Sequence, residues 1–203
     1  MFICFEGIAG SGKTTQVALL ADYLKISKGK TVFVGAAYEG NSRKVVSRFI
    51  NSSGIKSDKN AVMFLFQALH SAHYYTINQA LKSHQIVIAD RWRQSFFSYH
   101  LHQRTFGRNK KIIDDLDFLA YRKLEPDVYF LIDLPAELAY RRYLDREKMI
   151  NDHALELGNL KSFNSISKYY RRLAHNQNWY IIDGTQNKKA VFNNIKTTID
   201  KIL

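Results

Sequence analysis

The stretch MFICFEGIAGSGKTTQ (1–16) decides the fold. Its first part, FICFE (2–6), is a short apolar run of the kind that forms a buried strand. Gly7 to Thr14, GIAGSGKT, then match the pattern G-x-x-x-x-G-K-[ST] at every specified position. A helix-compatible run, TTQVALLADYL, follows. Strand, glycine-rich loop and helix in this order form a phosphate cradle. Glycines let the backbone curl so that several N–H groups converge on phosphate oxygens, and the helix N-terminus adds partial positive charge. Gly7, Gly10, Ser11, Gly12 and Thr15 are therefore candidate phosphate contacts, with Lys13 reaching the β- and γ-phosphates and Thr14 placed to ligate Mg²⁺. The loop implies ATP or another purine triphosphate and says nothing about what receives the phosphate.

Working outward, four further apolar runs read as strands: TVFVG (31–35), IVIAD (86–90), VYFLID (128–133) and WYIID (179–183). They lack alternation, which implies burial on both faces. Helix-compatible stretches lie between them, at 13–27, 41–52, 60–83, 92–104, 113–123, 135–148, 160–175 and 187–202. The expected architecture is a P-loop α/β fold: three layers, with a five-stranded parallel sheet flanked by helices. At 203 residues it should be one domain, 1–203, with a polar and mobile lid segment near 141–160.

The chain carries 30 Lys+Arg against 18 Asp+Glu, a formal charge of +12. The basic residues are dispersed, and no nucleic-acid recognition motif accompanies them, so no specific nucleic-acid partner is expected. The apolar runs are too short to span a membrane. One cysteine, Cys4, cannot form an internal disulfide and reads as a buried hydrophobe, which favours a reducing, cytoplasmic compartment.

A second constellation follows the strand IVIAD. Asp90 at its end can hold Mg²⁺ directly or through water, and Arg91 offers a forked guanidinium suited to bridging phosphate oxygens. By itself an Asp-Arg pair is a common surface ion pair; after a phosphate loop it points to chemistry.

FEGIAGSGKTTQ, DRWRQSFFSY, LEPDVYFLIDLPAELAYRR and the terminal YIIDG occur in the order and approximate spacing of thymidylate kinases, which this chain resembles over nearly its whole length. The resemblance implies ATP and Mg²⁺, a homodimer, and phosphoryl transfer to thymidine monophosphate. It implies that Arg91 contacts both substrates' phosphates, that Phe66 stacks on the thymine, and that Tyr99 lies beneath the deoxyribose. Gln94 and Ser95 would fall near the base, and Arg141 over the adenine. Arg142, Arg146 and Lys148 would belong to the lid, Arg142 and Arg146 being the candidates to cover the migrating group. Asp183, Gly184 and Thr185 would lie near the ATP base.

Three positions depart from the family pattern. Ala9 stands where many members carry an acid. His70 stands where an arginine often meets the thymine edge. The segment AAYEGNSRKV offers Glu39, and Arg43 one turn further on, where an arginine usually touches the acceptor phosphate. These departures keep a kinase for a different nucleotide, nucleoside or small metabolite, or a nucleotide-binding paralogue without this activity, as alternatives. Phe66 also reads as a core aromatic, and the lid arginines as a solvated helix face. Met63, Phe64, Ala68 and Ala72 form an apolar face for a dimer contact. His70 and His73 lack the partners of a zinc site.

Overall fold

The computed structural model describes residues 1–37, 40–53, 55, 58–100, 110–150 and 158–203. The elements run β1 (Phe2–Glu6), α1 (Lys13–Ile26), β2 (Val32–Ala36), α2 (Gly40–Ser53), α3 (Lys59–Ser83), β3 (Ile86–Asp90), α4 (Arg93–His100), α5 (Lys110–Tyr121), β4 (Val128–Asp133), α6 (Ala136–Ile150), α7 (Leu160–Asn176), β5 (Tyr180–Asp183) and α8 (Lys188–Ile202). The strands form one parallel sheet in the order β2-β3-β1-β4-β5. Parallel neighbours need crossover connections, and the helices supply them.

Side-chain alternation sorts the two faces. Ile3 and Phe5 point to one side, where Leu20 and Leu24 of α1 and Ile195 and Ile199 of α8 close the core. Phe2 and Cys4 point to the other, against Ile77 and Ala80 of α3 and Ala120 and Tyr121 of α5. Beside that second layer, α6 and α7 pack Ala139, Phe163 and Tyr170 onto Ile8, Ala9 and Leu131. The result is the expected three layers. Among the described residues no helix is long and apolar enough to cross a membrane.

Burial follows position in the sheet. Every residue of β1 and β3 is buried. The expectation of two-faced burial fails at the edges: Tyr180 and Ile181 of β5 and Val34 of β2 are exposed. An edge strand has a neighbour on one side only, and its apolar run reflects sheet formation more than full burial.

The apolar face expected on 60–83 divides in two. Met63 is fully buried with Phe96 and Ile113, in the inward stripe that continues through Gln67, His70, His73 and Ile77. Phe64, Ala68 and Ala72 lie on the outward face. Residues 63 and 64 are about 100° apart on a helix, so only the second set remains for a partner. The anticipated lid also begins as regular structure, since α6 runs unbroken through Ile150. Residues 151–157 of it lie outside the described residues.

Candidate active site

Register brings the carboxyl ends of the strands together. Phe5 pairs with Asp90 on one side and with Phe130 on the other, and Asp133 pairs with Asp183. Ligands of open parallel sheets bind at this edge, and the loop from Gly7 to Gly12 crosses it. Gly10 has φ +78°, and a Cβ there would lie 2.2 Å from the carbonyl oxygen of Ala139, so the loop can approach α6 only as glycine. Gly12 has φ +93° but open space around it. There the requirement is conformational alone, at the cap of α1.

That cap differs from its counterparts. Asp58, Asn159 and Asn187 cap α3, α7 and α8 with side-chain oxygens. Gly12 has no side chain to offer, and α1 starts without a side-chain cap. Its first N–H groups stay available to an anion at the loop mouth.

Lys13 is buried, with Nζ donating to the Ile8 carbonyl at 2.9 Å and to Ser11 Oγ at 3.1 Å. Burial pushes its ammonium pKa down to about 7, helped by the charges of Arg91 and Arg146 and opposed by Asp90 and Glu6. The arrangement holds a cation poised to gain from a phosphate. Thr14 Oγ1 donates to Asp90 Oδ2, uniting the two segments singled out in the sequence. A hydroxyl and a carboxylate oxygen side by side are the hard donors that Mg²⁺ takes. No group of three or more His, Cys, Asp or Glu gathers among the described residues. An ion bound here would complete its shell with phosphate and water.

Arg91 follows with φ +76°, a left-handed conformation that costs a non-glycine residue roughly 1–3 kcal/mol. The turn aims its side chain back across the loop. Nη1 donates to the Gly7 carbonyl at 3.0 Å and to Ser95 Oγ at 3.1 Å. Lys13, Thr14, Asp90 and Arg91 thus converge from two segments some eighty residues apart.

Further candidates meet on the far side of the loop. Asp183 turns its carboxylate onto the Thr185 N–H at 2.9 Å and hydroxyl at 2.6 Å. These bonds hold the Asp183 pKa below the usual carboxylate value. Gly184 packs on the end of β4, its N–H bonded to the Asp133 carbonyl at 2.7 Å, and a Cβ on it would stand 3.6 Å from the Ser11 carbonyl. Arg142 Nη1 reaches the Gly184 carbonyl at 3.4 Å. The arginine brought to this loop is therefore Arg142, while Arg141 lies exposed on α6. Arg146 sits with its guanidinium 5.7 Å from the centre of the Tyr143 ring.

Of the residues expected to meet the acceptor, Phe66 is half-buried on α3. His70 is buried, with Nδ1 3.1 Å from Gln67 Oε1 and its ring beside Phe96 and Tyr121. Its ring therefore packs where α3 meets α4 and α5. Gln94 accepts from Tyr169 at 3.3 Å, and Ser95 is buried with its hydroxyl engaged inside the protein. Ala9 is packed in the cluster with Ala139, Tyr143 and Tyr170, where a carboxylate would be desolvated. Glu39 lies outside the described residues, as do the side chains of Arg43, Tyr99 and Lys148.

Two residues of the site escaped the sequence reading. Glu6 is wholly buried and accepts from the Trp92 N–H, the Ser95 hydroxyl and the Tyr170 hydroxyl, each at 2.9 Å. The available signal was an acid closing an otherwise apolar strand immediately before the loop. Tyr170, on α7, gave no signal beyond an aromatic on an apolar face.

Residues 5–195 match the family model described as thymidylate kinase. The chain is similar to a thymidylate kinase of Thermosipho melanesiensis, 32% identical over 207 residues that take in 100% of this chain and 99% of the relative. It is 32% identical to a thymidylate kinase of Thermosipho africanus, with 100% and 99% covered. A thymidylate kinase of Prochlorococcus marinus is 29% identical, with 100% and 97% covered.

Proposed function

The chain belongs to the thymidylate kinase family, and we propose that it performs the family's reaction with Lys13, Thr14, Asp90 and Arg91 as its phosphate machinery. It is a nucleoside monophosphate kinase that uses ATP to convert dTMP to dTDP. The observation supporting this machinery is the convergence of those four residues, with the uncapped start of α1, at one edge of the sheet.

The acceptor is already anionic, so the transfer needs positioning and charge stabilisation more than proton removal. Lys13 leaves its loop contacts to meet the β- and γ-phosphates. Arg91 lies between the loop and α4 and draws the two substrates' phosphates together. Thr14 and Asp90 would hold Mg²⁺, which would supply positive charge to neutralise phosphate oxygens. Arg142 steadies the loop at Gly184 beside the donor's base, and Arg146 covers the phosphates from α6. Phe66 and the half-buried end of α3 receive the acceptor base.

The test is a panel of monophosphates incubated with ATP and Mg²⁺. dTMP should be turned over fastest. A deoxycytidine or purine monophosphate outrunning dTMP would overturn the acceptor assignment. We also propose a homodimer through the outward face of α3, where Phe64 is 52% exposed beside Ala68 and Ala72. A monomeric mass by light scattering at micromolar concentration, unchanged by Phe64→Lys, would dismiss it.

A further inference from the structure

Glu6 is a charge buried at the centre of the molecule, and burying a carboxylate is costly unless it is fully engaged. It is engaged by three donors from three places. Oε1 accepts from the backbone N–H of Trp92, at the junction of β3 and α4. Oε2 accepts from Ser95 on α4 and Tyr170 on α7. Two of these contacts, those of Trp92 and Ser95, bear directly on Arg91. The peptide that Trp92 contributes is the one directly after Arg91, where the chain holds its left-handed turn. The Ser95 hydroxyl has one proton. A carboxylate only accepts, so that proton goes to Glu6, and the oxygen's lone pairs are left for Arg91 Nη1 at 3.1 Å. The sense of the hydrogen-bond chain, from Arg91 through Ser95 to Glu6, is thus set by Glu6.

Tyr170 closes the arrangement. Its hydroxyl lies 3.1 Å from Ser95 Oγ and 3.0 Å from Ser98 Oγ. The next residue, Arg171, places Nε 2.9 and 2.8 Å from the two carboxylate oxygens of Asp133, at the end of β4. Helix α7 is thereby fastened to the sheet at two successive residues, Tyr170 and Arg171.

We infer that Glu6 is the positioning residue for Arg91, holding its backbone through Trp92 and its guanidinium through Ser95, with Tyr170 tying this arm to α7. The inference rests on the reading of Arg91 as a phosphate-binding group. Glu6 touches neither substrate. Its influence should reach the reaction only through the arginine.

Glu6→Gln keeps the shape but turns an amide donor toward a hydroxyl, reversing the chain or leaving one bond unmade. A misplaced positioning group costs up to about 100-fold. In steady-state kinetics Glu6→Gln should lower kcat by about 10- to 100-fold and leave KM for ATP within about twofold. Tyr170→Phe, which deletes one oxygen and should fold normally, should lower kcat by roughly fivefold. On an Arg91→Lys background the Glu6→Gln change should cost less than about twofold, because the geometry it protects is already lost. An undiminished cost on that background would make Glu6 a merely structural residue and overturn the inference. Crystal structures of Glu6→Gln or Tyr170→Phe supply a readout independent of turnover: Arg91 should leave Ser95, and an unmoved Arg91 in either variant overturns the inference. Failure of the wild-type protein to phosphorylate dTMP would instead sink the functional reading and leave the crystallographic outcome standing.

Discussion

The proposed donor half of the site and its proposed acceptor half are made of different materials. Around the P-loop, backbone predominates: curled glycines, an uncapped helix start, and the Ile8 carbonyl that, with the Ser11 hydroxyl, holds Lys13 in reserve. Around α3 and α4, side chains interlock: from distant elements Glu6 with Ser95 and Tyr170 and Gln94 with Tyr169, and within α3 His70 with Gln67. A backbone cradle tolerates little variation at its glycines, Gly7 and Gly10 being closed in by the Ile132 and Ala139 carbonyls. A side-chain network can be rebuilt with other residues, provided every buried polar group finds a partner. The contrast predicts that donor-half changes should act abruptly and acceptor-half changes by degrees.

The largest effect should come from Lys13→Ala. Loss of an electrostatic donor to a transferring phosphoryl group lowers turnover by roughly 10³-fold, about 4 kcal/mol. Since burial already disfavours the ammonium, the fold should lose nothing. Turnover near that of wild type would break the assignment, and a sharp fall in melting temperature would show Lys13 to be structural. Gly10→Ala should cost stability instead, roughly 3 kcal/mol in chemical denaturation, because its methyl would meet the Ala139 carbonyl and its φ is positive. An undiminished midpoint would mean that α6 yields easily to the loop.

A third prediction concerns His73, on the inward stripe of α3. Burial pushes its pKa down to about 4, partly offset by the Gly35 backbone and the Asp90 charge. An unfolded histidine titrates near 6.5. Above pH 6.5 neither state takes up the proton, and nothing is lost. As pH falls from 6.5 to 4 the unfolded chain binds a proton that the native chain refuses, so stability drops by up to about 3 kcal/mol. Asp117 works against this. Burial raises its pKa to about 6 in spite of Arg93, so protonation in the native state stabilises between pH 6 and its unfolded value. The net profile is therefore muted, and the difference between wild type and His73→Phe is the measurement. That difference should open below pH 6.5, and parallel urea-denaturation profiles would refute a buried neutral His73.

The same contrast explains which parts of the molecule could be read in advance. The loop and the succession of strands and helices around it follow from local patterns, because a strand, a glycine turn and a helix start are written in consecutive residues; the sheet order and the contact of Thr14 with Asp90 join distant segments and had to come from the fold. Even the edge strands announced themselves, though their apolar runs overstated burial. The Glu6 network was hidden because its members stand at positions 6, 92, 95, 98 and 170, and no short window contains two elements of it except α4. His70 was legible as a departure but not as a buried group, since facing Phe96 and Tyr121 depends on how α3 packs against α4 and α5. Met63 and Phe64 were merged for the same reason: adjacent apolar residues on a helix do not declare which one faces inward.

The smallest effect tests the finest distinction in the donor half, between two adjacent arginines. By resemblance Arg141 lies over the adenine, yet Arg142 is the one whose guanidinium reaches the Gly184 carbonyl. One long, partly buried hydrogen bond of 3.4 Å contributes about 1 kcal/mol or less. Arg142→Ala should therefore raise KM for ATP by roughly three- to fivefold with kcat little changed, while Arg141→Ala stays within about twofold. A reversed order would return the adenine contact to Arg141 and make the Gly184 bond incidental. A fall in kcat for Arg142→Ala, with KM held, would place that guanidinium on the migrating phosphoryl group. That outcome would sharpen the division between the halves, because α6 would then act on the transferred group itself and not on the base of the donor.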